Sequence, residues 1–479
     1  MPLNEIFFVF VFLPASVILY RLTPGKLRNT LLLLLSLFFI AWGNVSDVIL
    51  IALSIIFNYF TALELAHLRG SDRGFLKKFV LISGVSANVA LLVFFKYFVF
   101  FMNSICAVIG TEFTFTVPRV PVGISFFTFS AISCLCDVAK GDEDAVRNPV
   151  DFALYISFFA KITSGPIIKF RDMANQIRER GMTAESVENG LKLFIVGLSK
   201  KLIMAGCLGF IFDGIKSQAP ASLSVTGAWT GALAYSVMLY YDFSGYSDMA
   251  IGLGKIFGFS FAKNFDHPYS SVSMTDFWRR WHISLGAWFR DYVYIPLGGS
   301  RVTKARNIFN LSVVWILTGL WHGANWTFVV WGIYHLTLLI LEKFVLKDIF
   351  SKIPVILRTV MTFILAVIGW TIFFSDNISY ACSYLLRMFG IGANGLADRT
   401  GMYYLSGSAV LIVCAVIGAT TLPSFASGRI GGLVERRIGK KTAESIMQPV
   451  NAIIIALLLL CCTAFMISDT VSSFLYAQF

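Results

Sequence analysis

Two histidines stand where a chain of this composition has little room for polar groups. His322 lies in GLWHGANW, residues 319–326, near the end of an apolar run that begins after Arg301, Lys304 and Arg306. His282 lies in SMTDFWRRWHISLGAWFRDYVYIPLGGSR, residues 273–301, among three tryptophans. Imidazole titrates near neutral pH, so it can take a proton from a hydroxyl or orient one. An ionisable group inside an apolar span is costly, which marks His322 as functional by default. Gly319 and Gly323 flank it and let a substrate or another backbone approach closely. Trp315 and Trp326 are expected to share its helical face. For His282, burial against aromatic rings favours the neutral form, and a purely structural hydrogen bond is the competing reading. The other histidines signal less. His67 sits at a span boundary, His267 precedes Pro268, and His335 is expected roughly opposite His322 on a helix. No HxxxH pair occurs, so no metal site is expected. Neither a G-x-S-x-G elbow nor a P-loop is present.

Around His282, helical spacing over 275–292 predicts one amphipathic helix. Trp278, Trp281, Leu285, Trp288, Phe289 and Tyr292 form its aromatic face, and Arg279, Arg280 and Asp291 lie on another. Thr275 is the expected cap, Asp276 suits the first turn, and Pro296, Gly298 and Gly299 end the helix. Such a helix lies in the membrane interface or packs on the spans. A third polar knot is LYYDFSGYSDMAIGLG, residues 239–254. It sets Asp242, Ser244, Tyr246, Ser247 and Asp248 in an apolar stretch, with Gly245 and Gly252 allowing close packing. It reads equally as a capped helix break or as the wall of a cavity.

The elements that must position these residues follow from composition. Of 479 residues, 57% are hydrophobic and 15% aromatic, and the mean hydropathy is +0.75. The bilayer is the solvent, and each span needs about 20 apolar residues. Backbone groups in hydrocarbon must be satisfied within the segment, so the spans are helices. Candidate spans fall near 4–20, 28–43, 46–66, 77–109, 119–138, 150–168, 189–215, 224–246, 307–324, 326–346, 355–375, 404–424 and 448–470. The simplest description is one all-α polytopic membrane domain over 1–479, without repeat or soluble domain. The N-terminal run, with Glu5 and no basic region before it, is expected to be a retained span rather than a signal peptide. The net charge of +12 fits basic cytoplasmic loops, not nucleic-acid binding. The eight cysteines show neither zinc nor disulfide spacing and read as small core residues.

Charge sets the orientation. Arg21, Lys26 and Arg28 belong to one cytoplasmic loop, and Arg69, Arg73, Lys77 and Lys78 to another; the GNVSD loop and residues 110–116 belong outside. Lys140 and Arg147 are then inside, as are Lys169, Arg171, Arg178 and Arg180. Segment 150–168 lies between two inside loops, so it is expected to be re-entrant. Its FFAKITSGPIIKF, with Lys161 and a Gly-Pro break, supports that. Irregular backbone at membrane depth must be buried in protein or line a cavity.

YYDFSGYSDMAIGLG, DFWRRWHISLGAWFRDYVYIPLGGSR and GLWHGANWTFVVWGIYH, with PVGISFFTFS at 121–130, resemble the membrane-bound O-acyltransferase family. The likeness is to its alginate O-acetyltransferase branch, which also holds the D-alanyl transferase of teichoic acids. It is strongest from Pro121 to Tyr334, with a catalytic core at about 119–345. It implies a ring of tilted helices with re-entrant and interfacial segments around a central funnel. It implies acyl transfer from a cytoplasmic thioester, acetyl-CoA, with no bound cofactor, to an extracytoplasmic polysaccharide. A separate extracytoplasmic esterase-like transferase of the SGNH type is the implied partner, and the bacterial cytoplasmic membrane the implied location. His322 matches the family's essential histidine and His282 its second. Substrate contacts are expected from Asp242, Ser244, Tyr246, Arg279, Arg280, Arg290, Trp321 and Asn325, the arginines facing donor phosphates. The chain departs from the pattern at Lys161, where relatives carry Pro-Gln, at Gly206, where Asp is common, and in CLCDVAKG. D-alanyl transfer from a carrier protein is the alternative within the class. A transporter or channel is the alternative outside it, and the hydropathy repeat expected of a transporter is missing.

Overall fold

The computed structural model describes residues 1–70, 72–111, 119–141, 147–163 and 165–468. Most of the 110–116 loop therefore lies outside the described residues. A π-helical turn at Phe8–Phe12 leads into α1 (Leu13–Leu22), followed by α2 (Arg28–Gly43), α3 (Val45–His67) and the long α4 (Gly74–Ile109). Next come α5 (Ile124–Lys140), α6 (Pro149–Ser157), α7 (Phe159–Ile162) and α8 (Phe170–Arg178). The helix α9 (Ala184–Ser199) continues through a π-helical stretch at Lys200–Ala205 into α10 (Gly206–Lys216). Then follow α11 (Val225–Ile256), α12 (Met274–Arg280), α13 (Ile283–Phe289) and the hairpin of α14 (Lys304–His322) and α15 (Trp326–Phe344). The chain ends in α16 (Lys347–Lys352), α17 (Val355–Phe374), α18 (Ile378–Met388), α19 (Arg399–Gly418), α20 (Leu422–Ile438) and α21 (Lys440–Ile467).

Among the described residues, eight helices are long and apolar enough to cross a membrane, fewer than the thirteen candidate stretches. The reasons are physical. Phe8–Leu22 is a shorter apolar helix, and α5 has 17 residues. Helix α11 runs through the protein interior, where apolarity is not required, and α14 buries a polar face with Asn307, Asn310 and Thr318 while exposing Phe309, Ile316 and Leu317. α11 is the central pillar, 32 residues long and buried along nearly its whole length. Against it α9 packs backbone to backbone. A Cβ on Gly197 would sit 2.5 Å from the Gly245 carbonyl oxygen, and one on Gly252 2.6 Å from that of Gly190. Small residues let helices meet where lipid offers no hydrophobic drive. The α3–α4 contact instead uses paired amides: Asn88 Nδ2 donates to Asn58 Oδ1 at 2.7 Å, and Asn58 Nδ2 returns the bond at 3.2 Å.

The basic loops converge on one face. Arg180 Nη2 reaches Asn29 Oδ1 at 2.6 Å, Arg69 Nη2 the Val138 carbonyl at 3.0 Å, and Lys343 Nζ Asn307 Oδ1 at 3.1 Å. Segment 150–168 behaves as the charge count required. It enters from this face, where Asn29 Nδ2 donates to Asp151 Oδ1 at 2.6 Å. The helix breaks between α6 and α7, and irregular backbone returns to the same face. There Lys169 Nζ meets Asp291 Oδ2 at 2.7 Å. At the turn, Lys161 is buried, donating to Ser130 Oγ at 2.9 Å and lying 4.3 Å from the Tyr155 ring centroid.

The segment around His282 is not the single helix that spacing suggests. It divides into α12, α13 and a π-helical stretch at Arg290–Tyr294. Ser273, not Thr275, caps α12, its side chain accepting from the Asp276 N–H at 3.1 Å. The break falls at His282, with φ +46°. Backbone pairing overrides the helical periodicity there: Asp266 N–H donates to the Arg280 carbonyl and Ile283 N–H to the Asn264 carbonyl, both at 2.9 Å.

Candidate active site

His282 occupies the corner of that bend. Among the described residues, it and His267 are the only non-glycine residues at positive φ. That region costs an L-residue about 1–2 kcal/mol, so the surroundings must hold it. Nδ1 lies 3.2 Å from Asn264 Oδ1. The ring stands edge-on to Phe243 of α11, centroids 4.6 Å apart. Both His282 and Asn264 are at most 2% exposed. Burial pushes the imidazole down to about 3, so the ring is neutral. Its Nε2 is buried without a hydrogen-bond partner among the described residues.

His322 ends α14, whose 19 residues carry it about 27 Å from the basic face. Four rings box it: Trp321 at 4.8 Å, Trp331 and Phe373 each at 5.0 Å, and Phe328 at 6.4 Å between centroids. Gly319 is needed for the hairpin rather than for a substrate, since a Cβ there would fall 2.4 Å from the Phe328 carbonyl oxygen. Trp326 belongs to α15 and is exposed, so it does not share the His322 face. His335 is likewise on α15, not opposite His322 on one helix. It packs on Trp331 at 4.8 Å, and its Nδ1 accepts from Trp278 Nε1 at 3.4 Å.

Trp321 joins the two histidines, its ring 5.8 Å from His282 and 4.8 Å from His322. Its buried Nε1 has no hydrogen-bond partner among the described residues. The site therefore combines two buried imidazoles with a buried indole N–H that has no partner among the described residues.

The other expected site residues divide. Tyr246 bonds through its hydroxyl to Thr163 at the re-entrant turn, which ties the 239–254 segment to it. The knot is no helix break: Asp242, Ser244 and Tyr246 are all buried within continuous α11. Asp242 faces the π-helical stretch after α9, where Lys201 Nζ meets Oδ1 at 2.6 Å. Asn325 caps α15, accepting from the Thr327 N–H at 3.0 Å, and its Nδ2 holds the Asp376 carbonyl at 2.8 Å. Both contacts are structural ones. Arg280 is engaged by Asp276 at 2.9 Å and Arg290 by Asp291 at 2.7 Å. Arg279 is exposed and makes no ion pair among the described residues.

Three groups that sequence reading did not single out support the site. Lys96 Nζ donates to the Trp321 carbonyl at 2.9 Å and to Ser125 Oγ at 3.3 Å. Tyr97 hydroxyl donates to the Leu320 carbonyl. Together they satisfy the last carbonyls of α14, and a cation suits a helix C-terminus. A lone lysine inside the apolar FFKYF was the signal. Asn264 is the third, and nothing in the sequence marks a contact across 18 residues.

With this geometry in view, comparison with known proteins decides the class. The sequence model described as MBOAT, membrane-bound O-acyltransferase family, matches residues 142–387. The chain belongs to the membrane-bound O-acyltransferase family. It is a multi-pass membrane O-acyltransferase. The matched interval runs past Tyr334, further than the motifs alone suggest. The chain is 42% identical over 395 residues to the "Probable alginate O-acetylase AlgI" of Azotobacter vinelandii, covering 82% of this chain and 78% of the relative. It is 35% identical to the "Peptidoglycan O-acetyltransferase" of Helicobacter pylori, covering 82% of this chain and 80% of the relative. Against the "Teichoic acid D-alanyltransferase" of Streptococcus thermophilus, identity is 32%, over 45% of this chain and 54% of the relative.

Proposed function

We propose that this O-acyltransferase moves an acetyl group from cytoplasmic acetyl-CoA across the bacterial cytoplasmic membrane, for O-acetylation of a cell-envelope polysaccharide. A separate extracytoplasmic transferase of the SGNH type receives the group. The reading is supported by relatives named as alginate and peptidoglycan O-acetylases, which align over most of the chain. The teichoic acid D-alanyltransferases align over about half of it, which ranks carrier-borne D-alanine second. Family membership leaves the transporter reading without support.

The observation that carries the mechanism is the pair of buried imidazoles joined by Trp321. A hydroxyl is a weak nucleophile until a base removes its proton. His322 takes that proton as the hydroxyl oxygen attacks the thioester carbonyl carbon. The C–S bond then breaks, the acetyl ester remains on the acceptor, and the thiolate recovers the proton from His322. The Trp321 N–H is a donor suited to the carbonyl oxygen as it gains charge. His282 orients a substrate. Arg279, with Arg280 and Arg290, faces donor phosphates. Asp242, Ser244 and Tyr246, buried on α11, form the substrate-binding wall of the site.

The test is acetyl transfer from radiolabelled acetyl-CoA by purified protein in nanodiscs, with wild type beside His322→Ala. Loss of turnover in folded His322→Ala supports the mechanism. Equal turnover refutes it. Turnover with a D-alanyl carrier protein but not with acetyl-CoA would replace the donor.

A further inference from the structure

Hydrogen-bond polarity around His282 fixes more than the position of its ring. The Ser284 backbone N–H donates to Asn264 Oδ1 at 3.1 Å. A backbone N–H can only donate, so the Asn264 atom facing it is the carbonyl oxygen and not the amide nitrogen. Ser284 Oγ accepts from the Ile167 N–H at 3.0 Å. It passes its own proton to the same Oδ1 at 2.9 Å. The competing contact, Ser284 Oγ to His282 Nδ1, is 3.5 Å and much the weaker geometry. An amide oxygen has no proton to give. His282 Nδ1, 3.2 Å from it, must therefore carry one, because two lone pairs facing each other in a buried site would be strongly unfavourable. The neutral ring holds a single N–H, so Nε2 is left bare.

We infer that Asn264 is a positioning residue for acyl transfer: it holds His282 in the Nδ1–H tautomer and leaves Nε2 as a hydrogen-bond acceptor for a substrate hydroxyl or amide N–H. In this state His282 cannot polarise the thioester carbonyl by donating to it. The re-entrant segment takes part, since Ile167 sets the direction of the Ser284 hydroxyl. The kinetic consequence rests on the acetyl-transfer reading; the tautomer does not.

The experiment uses full-length protein in nanodiscs with 15N-labelled histidine. The five histidines give few imidazole signals, and His282 is assigned by its loss in His282→Gln. Wild type is expected to show a protonated Nδ1 and a bare Nε2. Asn264→Leu introduces the Nε2–H tautomer, whereas Asn264→Asp and Ser284→Ala keep Nδ1–H. In the Ser284 variant the backbone N–H still turns the amide oxygen inward. In parallel, kcat falls about 10- to 100-fold in Asn264→Leu, as expected for loss of a group that orients a working histidine. It returns to within a few-fold of wild type in Asn264→Asp, with the KM for acetyl-CoA unchanged. An Nε2–H signal in wild type overturns the assignment, whether or not Asn264→Leu folds. A tautomer switch that leaves kcat intact, while His322→Ala is inactive, overturns the positioning role. If His322→Ala is fully active, the acyl-transfer mechanism fails, and the tautomer result stands or falls separately.

Discussion

His282 is held by hydrogen bonds at a bend of the chain, whereas His322 is held by rings at the end of a helix. Asn264 and Ser284 form a directed network around the first, and that network continues to the re-entrant segment through Ile167. Trp321, Trp331, Phe328 and Phe373 enclose the second, and Lys96 and Tyr97 fix the helix that carries it. A hydrogen-bonded imidazole has a defined proton and a defined direction. A ring-boxed imidazole has a defined place in buried surroundings of low polarity, which sharpens its response to polar groups. The pairing suits a reaction in which one histidine aligns a substrate and the other moves a proton.

The largest effect that could break this division of labour is His322→Ala. General-base catalysis contributes on the order of 10²- to 10⁴-fold, and kcat for acetyl transfer should fall by that amount with the size-exclusion profile unchanged. Were His282→Ala to lose the larger share, the roles would have to be exchanged.

Lys96→Met tests the His322 side alone. It leaves the Trp321 carbonyl without its lysine donor. An intramolecular hydrogen bond is worth about 0.5–1.5 kcal/mol net, and thermal unfolding in nanodiscs should report a loss in that range. Lys96→Arg should recover most of it. The Nδ1–H tautomer of His282 should be untouched by either change; a shift in it would mean that the two halves of the site are not independent.

Arg279→Ala tests the approach to the His282 side and should do less. The side chain is exposed and unpaired among the described residues, so the phosphate contact proposed for it would be worth on the order of 1 kcal/mol. The KM for acetyl-CoA should rise a few-fold with kcat unchanged. A fall in kcat instead would place Arg279 in the chemistry.

How far the sequence reveals this site depends on which kind of interaction builds it. The membrane class, the re-entrant 150–168 segment and the two histidines as groups set in apolar surroundings were legible because apolar runs, loop charges and lone ionisable groups are local signals. The close approach at Gly245 and Gly252 was legible for the same reason. The bend at His282 was not. Its aromatic spacing fits one helix, and the pairing that breaks that helix comes from Asn264 and Asp266, outside the segment. Nor could spacing tell that Asn325 would cap α15, that Asp242 would be taken by Lys201, or that His335 would lie across a hairpin from His322. These are tertiary facts. Asp291 is a similar case. Spacing placed it only on a polar helix face, whereas in the fold this carboxylate ties the returning end of the re-entrant segment to the π-helical stretch after α13.

That lock gives the effect most specific to the His282 side. Lys169 Nζ and Arg290 Nε each lie 2.7 Å from the Asp291 carboxylate, and Arg171 is a third partner. Burial alone would raise this carboxyl. Hydrogen bonds from Arg290 and Lys169, with their charges, outweigh it and hold the pKa down to about 2. In the unfolded chain an aspartate titrates near about 3.9. On acidification the unfolded state therefore binds the proton first, so the lock's stabilisation is complete above about pH 4 and is lost as the pH falls toward 2. Thermal midpoints of wild type and Asp291→Asn should differ most at neutral pH and converge across that window. Convergence at higher pH, or a gap that persists to pH 2, would show that the carboxylate is not what secures the re-entrant segment beneath His282.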